Sequence, residues 1–469
     1  MTRKRLFSNI TLAVGLVALL AGCASSSFFF EQNKVLAGTH WNAPVPVSSG
    51  PALKDARAWW QAWNDPMLFG LIQKALDANT DVQTALADMK AAAALSDAAT
   101  AELFPTASLS GDASRQHRSG STTESYAAQA GASWSFSLVG GNIAARRAAA
   151  REAMASAFSV EDVKIAVASE VAQNYINWRL AGMKTASARA TLRNCEQILE
   201  IASWRLKAGL ATQTEVDQAH SERDSAAARI PSYEASQTKY KNALARLCVM
   251  NASDIADSQG EKIPTLPASL VVSIPAQTLQ QRPDMRAAEY AVLAASDRLY
   301  EARSQWFPTL KITGNLGTQA TAIGALGASG TGIAALVGAL SMPLWNWNEQ
   351  VLAGKQKETA LEKTQISYTA TLVKALEETE NALTGIHAAQ KRQEDLSQAL
   401  LSAESAAALA LAQYKAGLED YQTVLSTERS VISSRETIEE NKADLATQYV
   451  KLFTALGGGY QVPQSDSNL

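Results

Sequence analysis

The sequence lacks the residue patterns that most enzymes and metal proteins need. Its 469 residues contain three cysteines and four histidines, and the histidines are too far apart for a metal site (His40, His117, His220 and His387). We find no phosphate-binding loop, no dinucleotide-binding glycine motif and no nucleophile elbow. We therefore expect a protein that is not an enzyme and that needs no metal or cofactor.

An excess of charge of either sign is also missing. The chain has 42 Lys and Arg against 45 Asp and Glu, for a net charge of −3, whereas nucleic-acid-binding proteins are usually basic. With 47% hydrophobic and 19% charged residues, the chain is not a disordered one. With only 13 prolines, it can form long uninterrupted helices.

The N-terminus resembles a bacterial lipoprotein signal peptide. Basic residues at 3–5 precede a short apolar run at 10–20, and small residues then lead to Cys23. A membrane anchor or an ordinary signal peptide is the alternative, but the run is too short to span about 30 Å of hydrocarbon, and a Cys follows the small residues. We expect removal of residues 1–22 and a covalent lipid on Cys23. By known sorting rules, Ala24 after the cysteine favours the outer membrane of a Gram-negative bacterium.

The two other cysteines are expected to be free and buried. Cys195 and Cys248 lie in helical patterns on opposite sides of a turn near Gly209. Cys248 is further from that turn than Cys195 by about 37 Å of helix. A disulfide needs Cα atoms within about 7 Å, so these thiols cannot pair.

The sequence repeats itself. The motif Phe104-Pro105-Thr106 recurs at 307–309, and Lys207-Ala208-Gly209-Leu210 recurs at 415–418. Ordered matches at nearly one offset indicate an internal duplication. Each half contains an Ala-rich helical stretch, a segment of short alternating runs, a long stretch without proline, a glycine turn and a second long helix. The first three parts cover 66–102, 104–140 and 142–207 in the first half, and 283–305, 307–345 and 350–415 in the second.

The long stretches predict helices that pack against one another. Residues 142–207 would form a helix of about 100 Å, which cannot bury its apolar stripe in one globular core. In the second half, apolar residues recur every seven positions, as in a coiled coil (Val424, Val431, Ile438, Leu445 and Leu452). A plain four-helix bundle is the alternative, and the helix lengths argue against it.

The segments before the long helices predict membrane strands. No charged residue occurs between Lys311 and Glu349, so a transmembrane helix must be considered, but seven glycines argue against it. Apolar and polar residues alternate instead, around 310–316 and 126–138, as in outer-membrane strands. We expect polar or glycine-rich loops at about 115–125 and 318–330.

Aromatic residues cluster where the strands meet the helices (Phe104, Trp134, Phe136, Trp306, Phe307, Trp345 and Trp347). This placement fits an interfacial aromatic girdle, although a soluble sheet with an aromatic core remains an alternative. Two hairpins supply four strands, which cannot close a barrel, and lipid does not tolerate open edges. If the strands span a membrane, copies must combine. Three copies would give twelve strands with room for a channel.

Taken together, these motifs resemble the TolC-type outer-membrane efflux channels, and most closely the NodT-like lipoproteins that serve resistance-nodulation-division pumps. The matching segments are 20–23, Trp59-Trp60 with Asp65-Pro66, 281–284 with 287–289, 306–308, 343–345, the two Lys-Ala-Gly-Leu turns and 456–459. Each motif alone is weak, and their order along nearly the whole chain is specific.

The resemblance implies a mainly α fold with a membrane β-barrel. Three chains would pool four strands each into a twelve-stranded barrel above a barrel of long helices. The implied parts are the signal peptide 1–22, a lipidated segment 23–65, a first repeat 66–262, a linker 263–282, a second repeat 283–456 and a tail 457–469. The trimer would be a passive conduit for small molecules, with a periplasmic adaptor, an inner-membrane pump and outer-membrane lipid as partners.

The resemblance also assigns roles at the two glycine turns, which become periplasmic tips. It implies a gate of apolar residues and carboxylates after the second tip, here Val424 and Leu425, but Ser426 stands where the family often has Asp. Further gate candidates are Glu419, Asp420, Glu428, Glu215 and Asp217. Candidates for contact with an adaptor are Arg205, Lys207, Gly209, Leu210, Lys415, Gly417 and Leu418. Ordinary solvated charge is the alternative for the acidic and basic residues.

Two other functions stay open at this point. Within the channel hypothesis, the chain could serve a type I protein secretion system. Outside it, the chain could be a coiled-coil structural lipoprotein without a pore.

Overall fold

The computed structural model describes residues 41, 43, 59–60, 63–256, 262–264, 282–343 and 347–458. The signal peptide, Cys23, most of the segments 23–65 and 263–282, Trp345 and nearly all of the C-terminal tail lie outside these residues. The predictions made for them stay predictions.

Long helices follow the predicted bounds closely. In chain order the described helices are α1 (Pro66–Ala78), α2 (Thr80–Ala101), α3 (Gly141–Lys207), α4 (Gln213–Leu247), α5 (Pro283–Ser304), α6 (Trp347–Lys415) and α7 (Tyr421–Ala455). The duplication is visible in their lengths. Helices α4 and α7 both have 35 residues, and α3 and α6 have 67 and 69.

One helical stretch differs from the prediction. The continuous helix expected over 66–102 is two helices, because Asn79 interrupts it with an extended backbone. The Asn79 side-chain oxygen accepts from the backbone N–H of Asp81 at 2.8 Å, and its amide donates to the carbonyl of Leu247 at 3.0 Å. Asn79 therefore caps α2 and holds α4 through one buried side chain, a contact that the local Ala-rich pattern does not reveal.

The two predicted hairpins form one antiparallel sheet. Its strands are β1 (Thr106–Arg118), β2 (Ser121–Ser137), β3 (Thr309–Ala320) and β4 (Gly332–Ser341), in the order β1-β2-β3-β4. The hairpins join through β2 and β3, where Tyr126 lies opposite Ala320 and Ser137 opposite Thr309. Strands β1 and β4 are the two edges.

The prediction of a loop at 115–125 is wrong. Strands β1 and β2 continue through this polar segment and leave only Ser119 and Gly120 as a turn. Both turn residues have positive φ, at 53° and 85°, as in the two-residue turns whose twist matches that of a hairpin. The prediction treated the polar residues of this segment as a sign of a loop. Two strands can stay hydrogen-bonded to each other through their backbones even where their side chains are polar. The second loop, after Ala320, agrees better with its expected range.

The chain divides into two structural units, and each draws on both repeats. One contains 86–159 and 284–371, and therefore the whole sheet. The other contains the described parts of 37–85, 160–283 and 372–469, and therefore both helical turns. In the second unit Trp59 is fully buried and stacks on Phe453, with ring centroids 5.2 Å apart.

Among the residues that the structure describes, we find no helix with the length and hydropathy of a membrane span.

Candidate functional site

The sheet has one apolar face that covers all four strands. Residues opposite one another in the ladder share a face, so the register aligns Leu109 with Ala130 and Leu316, and Phe136 with Leu310 and Leu340. We call this the apolar face, and several of its large side chains are uncovered in the single chain: Leu109 is 85% exposed and Leu336 is 80% exposed. A soluble sheet would bury such a face.

The opposite face is polar on three of the four strands, and we call it the polar face. Strand β1 contributes Thr106, Ser108, Ser110 and Asp112; β2 contributes Gln129, Ser133 and Ser135; β3 contributes Lys311, Thr313 and Asn315. On these three strands, alternation of apolar and polar residues over 12 to 17 residues is typical of strands with lipid on one side and water on the other.

Aromatic side chains mark one end of the sheet, as the sequence predicted. Trp134 and Phe136 lie 4.7 Å apart by ring centroids, and the indole N–H of Trp134 donates to the carbonyl of Leu103 at 2.9 Å. Phe104 and Phe307, just before β1 and β3, are exposed. Exposed aromatic rings at one level of a sheet favour the girdle over the aromatic core of a soluble sheet.

The two helical turns, residues 208–212 and 416–420, have the same backbone design, and we call them the first and second tips. Gly209 and Gly417 have φ values of +71° and +77°. The amide of Leu210 donates to the carbonyl of Arg205 at 2.8 Å, and Leu418 repeats this bond to Gln413 at 2.9 Å. This is the Schellman motif, which ends a helix with glycine in the left-handed conformation.

Two of the predicted gate carboxylates act as helix caps. Glu215 accepts from the backbone N–H of Thr212 at 3.2 Å while the Thr212 hydroxyl accepts from the amide of Glu215, which is a capping box at the start of α4. Asp420 accepts from the amide of Thr423 at 2.8 Å at the start of α7. Hydrogen bonds from Thr423 hold the pKa of Asp420 below its usual value. These carboxylates stabilise the tips directly.

The tips of the two repeats are joined by Tyr414, which the sequence analysis did not single out. Its hydroxyl donates to the Glu215 carboxylate at 3.3 Å, and burial together with this carboxylate raises the pKa of Tyr414. Arg205 lies over the Tyr414 ring at 4.4 Å and donates to the Tyr414 carbonyl at 2.6 Å. We call Arg205, Tyr414 and Glu215 the tip latch. The recurrence of Lys207 and Lys415 was visible in sequence, but no local pattern identifies this tyrosine.

Val424 and Leu425 pack inside the chain. Val424 has no exposed surface and Leu425 is 7% exposed. They belong to a tip core with Tyr414, Tyr421 and Val216, together with Ile198, Ala202, Ala219 and Ala410. A side chain buried within its own chain does not present a ring to a lumen in this conformation. The predicted apolar gate would need this core to open, and it stays a prediction.

The remaining acidic candidates differ in their surroundings. Asp217 is exposed and accepts from the Gln213 amide at 2.9 Å, and Glu419 accepts from the Thr423 hydroxyl at 2.8 Å. Glu428 is half-buried, and burial raises its pKa while Arg435 opposes that shift. The structure therefore does not gather these carboxylates into one cluster, and no group suitable for a metal ion occurs among the described residues.

Exposed apolar and basic residues surround the first tip. Leu210 and Leu418, at equivalent positions of the two tips, are 66% and 78% exposed, although a Schellman motif usually turns this side chain onto the helix. Trp204 is also exposed, with the Lys207 ammonium 4.8 Å from its ring centroid. Trp204 was not among the predicted contact residues, although an indole about one turn before the glycine is visible in the sequence. Lys415 at the second tip is exposed as well.

Both cysteines are free and buried, as predicted. Burial, followed by the nearby Glu222 and Glu428 carboxylates, raises the pKa of Cys195 to about 11. Burial likewise raises the pKa of Cys248, whose thiol donates to the carbonyl of Leu71 at 3.3 Å. Both thiols therefore stay protonated and behave as small apolar side chains.

Comparison with known proteins agrees with this architecture. The family described as outer membrane efflux protein matches residues 71–248 and 274–458. The probable outer membrane lipoprotein SilC of Salmonella typhimurium is 26% identical over 470 residues, covering 97% of this chain and 100% of that protein. The toluene efflux pump outer membrane protein TtgC of Pseudomonas putida is 25% identical over 480 residues, covering 98% and 97%. The pyoverdine export outer membrane protein OpmQ of the same species is 27% identical over 434 residues, covering 90% and 92%.

Solved structures share the fold. The outer membrane protein VceC from Vibrio cholerae superposes with a TM-score of 0.80 at 25% identity, covering 87% of this chain and 99% of that one. The outer-membrane channel OprN gives a TM-score of 0.83 at 22% identity, covering 90% and 98%. With a family match over more than half of the chain, a four-stranded sheet with an uncovered apolar face and paired helical tips, this protein belongs to the outer membrane efflux protein family.

Proposed function

We propose that three copies of this chain form a passive channel in the outer membrane of a Gram-negative bacterium. It exports small molecules delivered by an inner-membrane pump through a periplasmic adaptor. The observation that carries this proposal is the sheet, which has an uncovered apolar face, a polar face and two unpaired edge strands, β1 and β4. In lipid, every backbone group on those edges needs a partner.

In a ring of three copies, the backbone groups of both edge strands can find hydrogen-bond partners. An even number of antiparallel strands lets β4 of one copy pair antiparallel with β1 of the next. Twelve strands enclose a lumen, whereas eight would be filled by their own side chains. Exposed apolar residues on α6, such as Leu352 and Ile366 at 64% each, lie two heptads apart and provide a seam for helices of a neighbouring copy.

The tips supply the docking surface and the closure. Exposed leucines and the Trp204 indole provide apolar anchors, and Arg205, Lys207 and Lys415 lie beside them. Of these residues, Trp204 and Arg205 are of the types enriched in protein-protein hot spots. The tip latch holds the helix ends of the two repeats together, and an adaptor that binds at the tips can open the channel by separating them. Val424 and Leu425 belong to the core that this opening would disturb.

Small molecules fit the relatives better than proteins do. TtgC is named for toluene efflux, OpmQ for pyoverdine export and ArpC of Pseudomonas putida for antibiotic efflux. We therefore place the chain in small-molecule efflux rather than in type I protein secretion. The compound itself is set by the pump that delivers it.

Cys23 is proposed as the lipid anchor. Cys23→Ala should prevent lipidation and leave the protein outside the outer-membrane fraction, whereas Cys195→Ala should not change its location. Membrane fractionation with a palmitate label tests this, and labelling of the Cys23→Ala variant would contradict the assignment.

The central experiment is electron microscopy of purified full-length protein together with current recording in planar bilayers. We expect threefold particles with a membrane-embedded end and a measurable ion current. A compact water-soluble monomer without β signal in circular dichroism would instead support the structural lipoprotein.

A further inference from the structure

Strand β4 departs from the pattern of the other three strands. On β1, β2 and β3 the polar face carries hydroxyl, amide or charged side chains, but β4 places Ile333, Ala335, Val337 and Ala339 there. Its other face carries Ala334, Leu336 and Leu340, which belong to the apolar face. Strand β4 is therefore apolar on both sides up to its last residue, Ser341. We call Ile333, Ala335, Val337 and Ala339 the β4 strip.

The ladder register places this strip beside polar groups. Val337 lies opposite Thr313, Ala335 opposite Asn315 and Ala339 opposite Lys311. Val337 is 56% exposed, so more than half of its surface is accessible in the single chain. Apolar side chains on the lipid side need no special explanation, but a set of them on the water side does.

The assembly does not remove the strip. In the proposed trimer β4 pairs with β1 of the next copy, whose polar face presents Thr106, Ser108 and Ser110. Each strip thus stays one strand wide, between hydroxyl-bearing neighbours, and runs for about 20 Å along the strand. The charged residues on the polar face of the described sheet ladder are Asp112, Arg118 and Lys311. Lys311 lies at the end of the paired region next to the helices, and Asp112 and Arg118 lie towards the other end.

We propose that the β4 strip is a contact path in the channel wall for uncharged amphipathic solutes. This inference rests on the proposed function, because it needs the polar face to line the lumen. A solute with an apolar side can shed water against the strip while its polar groups bond to the flanking hydroxyls. Conduction is favoured when contact is strong enough for entry and weak enough for release, and a narrow strip provides weak contact.

The test replaces apolar groups of the strip with hydroxyls. The test variant carries two substitutions, Val337→Thr and Ile333→Thr. Threonine is β-branched like the residues that it replaces. Val337→Thr preserves the side-chain shape, whereas Ile333→Thr also removes one methyl group. The measurements are efflux of the neutral dye N-phenyl-1-naphthylamine from cells with the partner adaptor and pump, and potassium conductance of the purified channel. We expect dye efflux to fall roughly fourfold, as two half-desolvated methyl groups predict, and conductance to stay unchanged.

Two further variants keep the test decisive. Val337→Ile retains an apolar strip and should match the natural protein. Thr313→Val widens the strip onto β3 and should raise dye efflux while conductance again stays unchanged. Equal dye efflux in all variants would overturn the inference. Loss of the trimer on a native gel after Val337→Thr would also overturn it, since the strip would then be a contact between copies.

Failure of the proposed function gives a different result. In that case the natural chain itself would restore no dye efflux and would carry no current. A working natural chain with indifferent strip variants would remove only the role of the β4 strip.

Discussion

The two helical tips have the same backbone conformation but are held by different side-chain hydrogen bonds. Both end a long helix with a left-handed glycine and an exposed leucine. The first tip, however, begins its return helix with a capping box that closes on itself, and its Glu215 also accepts the Tyr414 hydroxyl. The second tip relies on Asp420 alone for its cap. The two tips therefore share a backbone fold, but their side-chain contacts differ. Tyr414, just before the second tip, is held by Arg205 and Glu215 beside the first tip.

The largest expected effect concerns the tip core. Val424→Ala should lower the free energy of unfolding of the tip by about 2 kcal/mol, because it leaves a cavity where Val424 has no exposed surface. Combined with Leu425→Ala, it should raise the leak current in planar bilayers. Hydrogen exchange across 410–430 measures the first effect, and Leu418→Ala, at the exposed tip, is the control. Unchanged current in the double variant would remove both residues from any gate.

The next effect concerns the tip latch. Tyr414→Phe keeps the ring under Arg205 and removes the hydroxyl that bonds to Glu215, at a cost of about 1 kcal/mol. The leak current should rise because the two tips separate more readily. Tyr421→Phe, a second buried tyrosine of the same core, is the matched control. If both variants leak equally, packing rather than the hydrogen bond holds the tips.

The glycine turns should respond alike. Gly209→Ala and Gly417→Ala force a side chain into the left-handed region, at a cost of about 1 kcal/mol each. No atom lies within 4 Å of either added Cβ, so the cost comes from the backbone alone. Thermal unfolding of each variant measures it. A much larger loss at one tip would show that this glycine also approaches a neighbouring chain.

The smallest effect is a pH dependence of the second tip. The pKa of Asp420 is lowered in the folded state, so its stabilising contribution is present above the unfolded pKa of about 4 and is lost as the pH falls through the folded value. Below pH 4, hydrogen exchange at the start of α7 should therefore increase, and Asp420→Asn, which keeps a capping side chain, should abolish that dependence. Burial raises the pKa of Glu428, which favours the folded state at low pH and opposes it above, so Glu428→Gln should make the acid effect larger.

Much of the fold could be predicted because its signals are local. Glycine turns, heptad spacing and strand alternation each relate residues that are close in the sequence, and the two halves of the duplication carry the same signals. The prediction of a loop at 115–125 was wrong because it also relied on a local signal. The polar residues there belong to paired strands and do not mark where the strands end. The helix break at Asn79 was not predicted because the hydrogen-bond partner of its side chain, Leu247, is 168 residues away.

The sequence by itself determined the extent of the two longest helices, the two hairpins, the glycine-ended tips and the family. These follow from backbone preferences and from the period at which apolar residues recur. Only the tertiary structure decided that Val424 is a core residue, that Glu215 is a cap and that Tyr414 bonds to it. Tyr414 and Glu215 are 199 residues apart in the chain, and no pattern within one helix specifies which side chain of another will complete its hydrogen bonds.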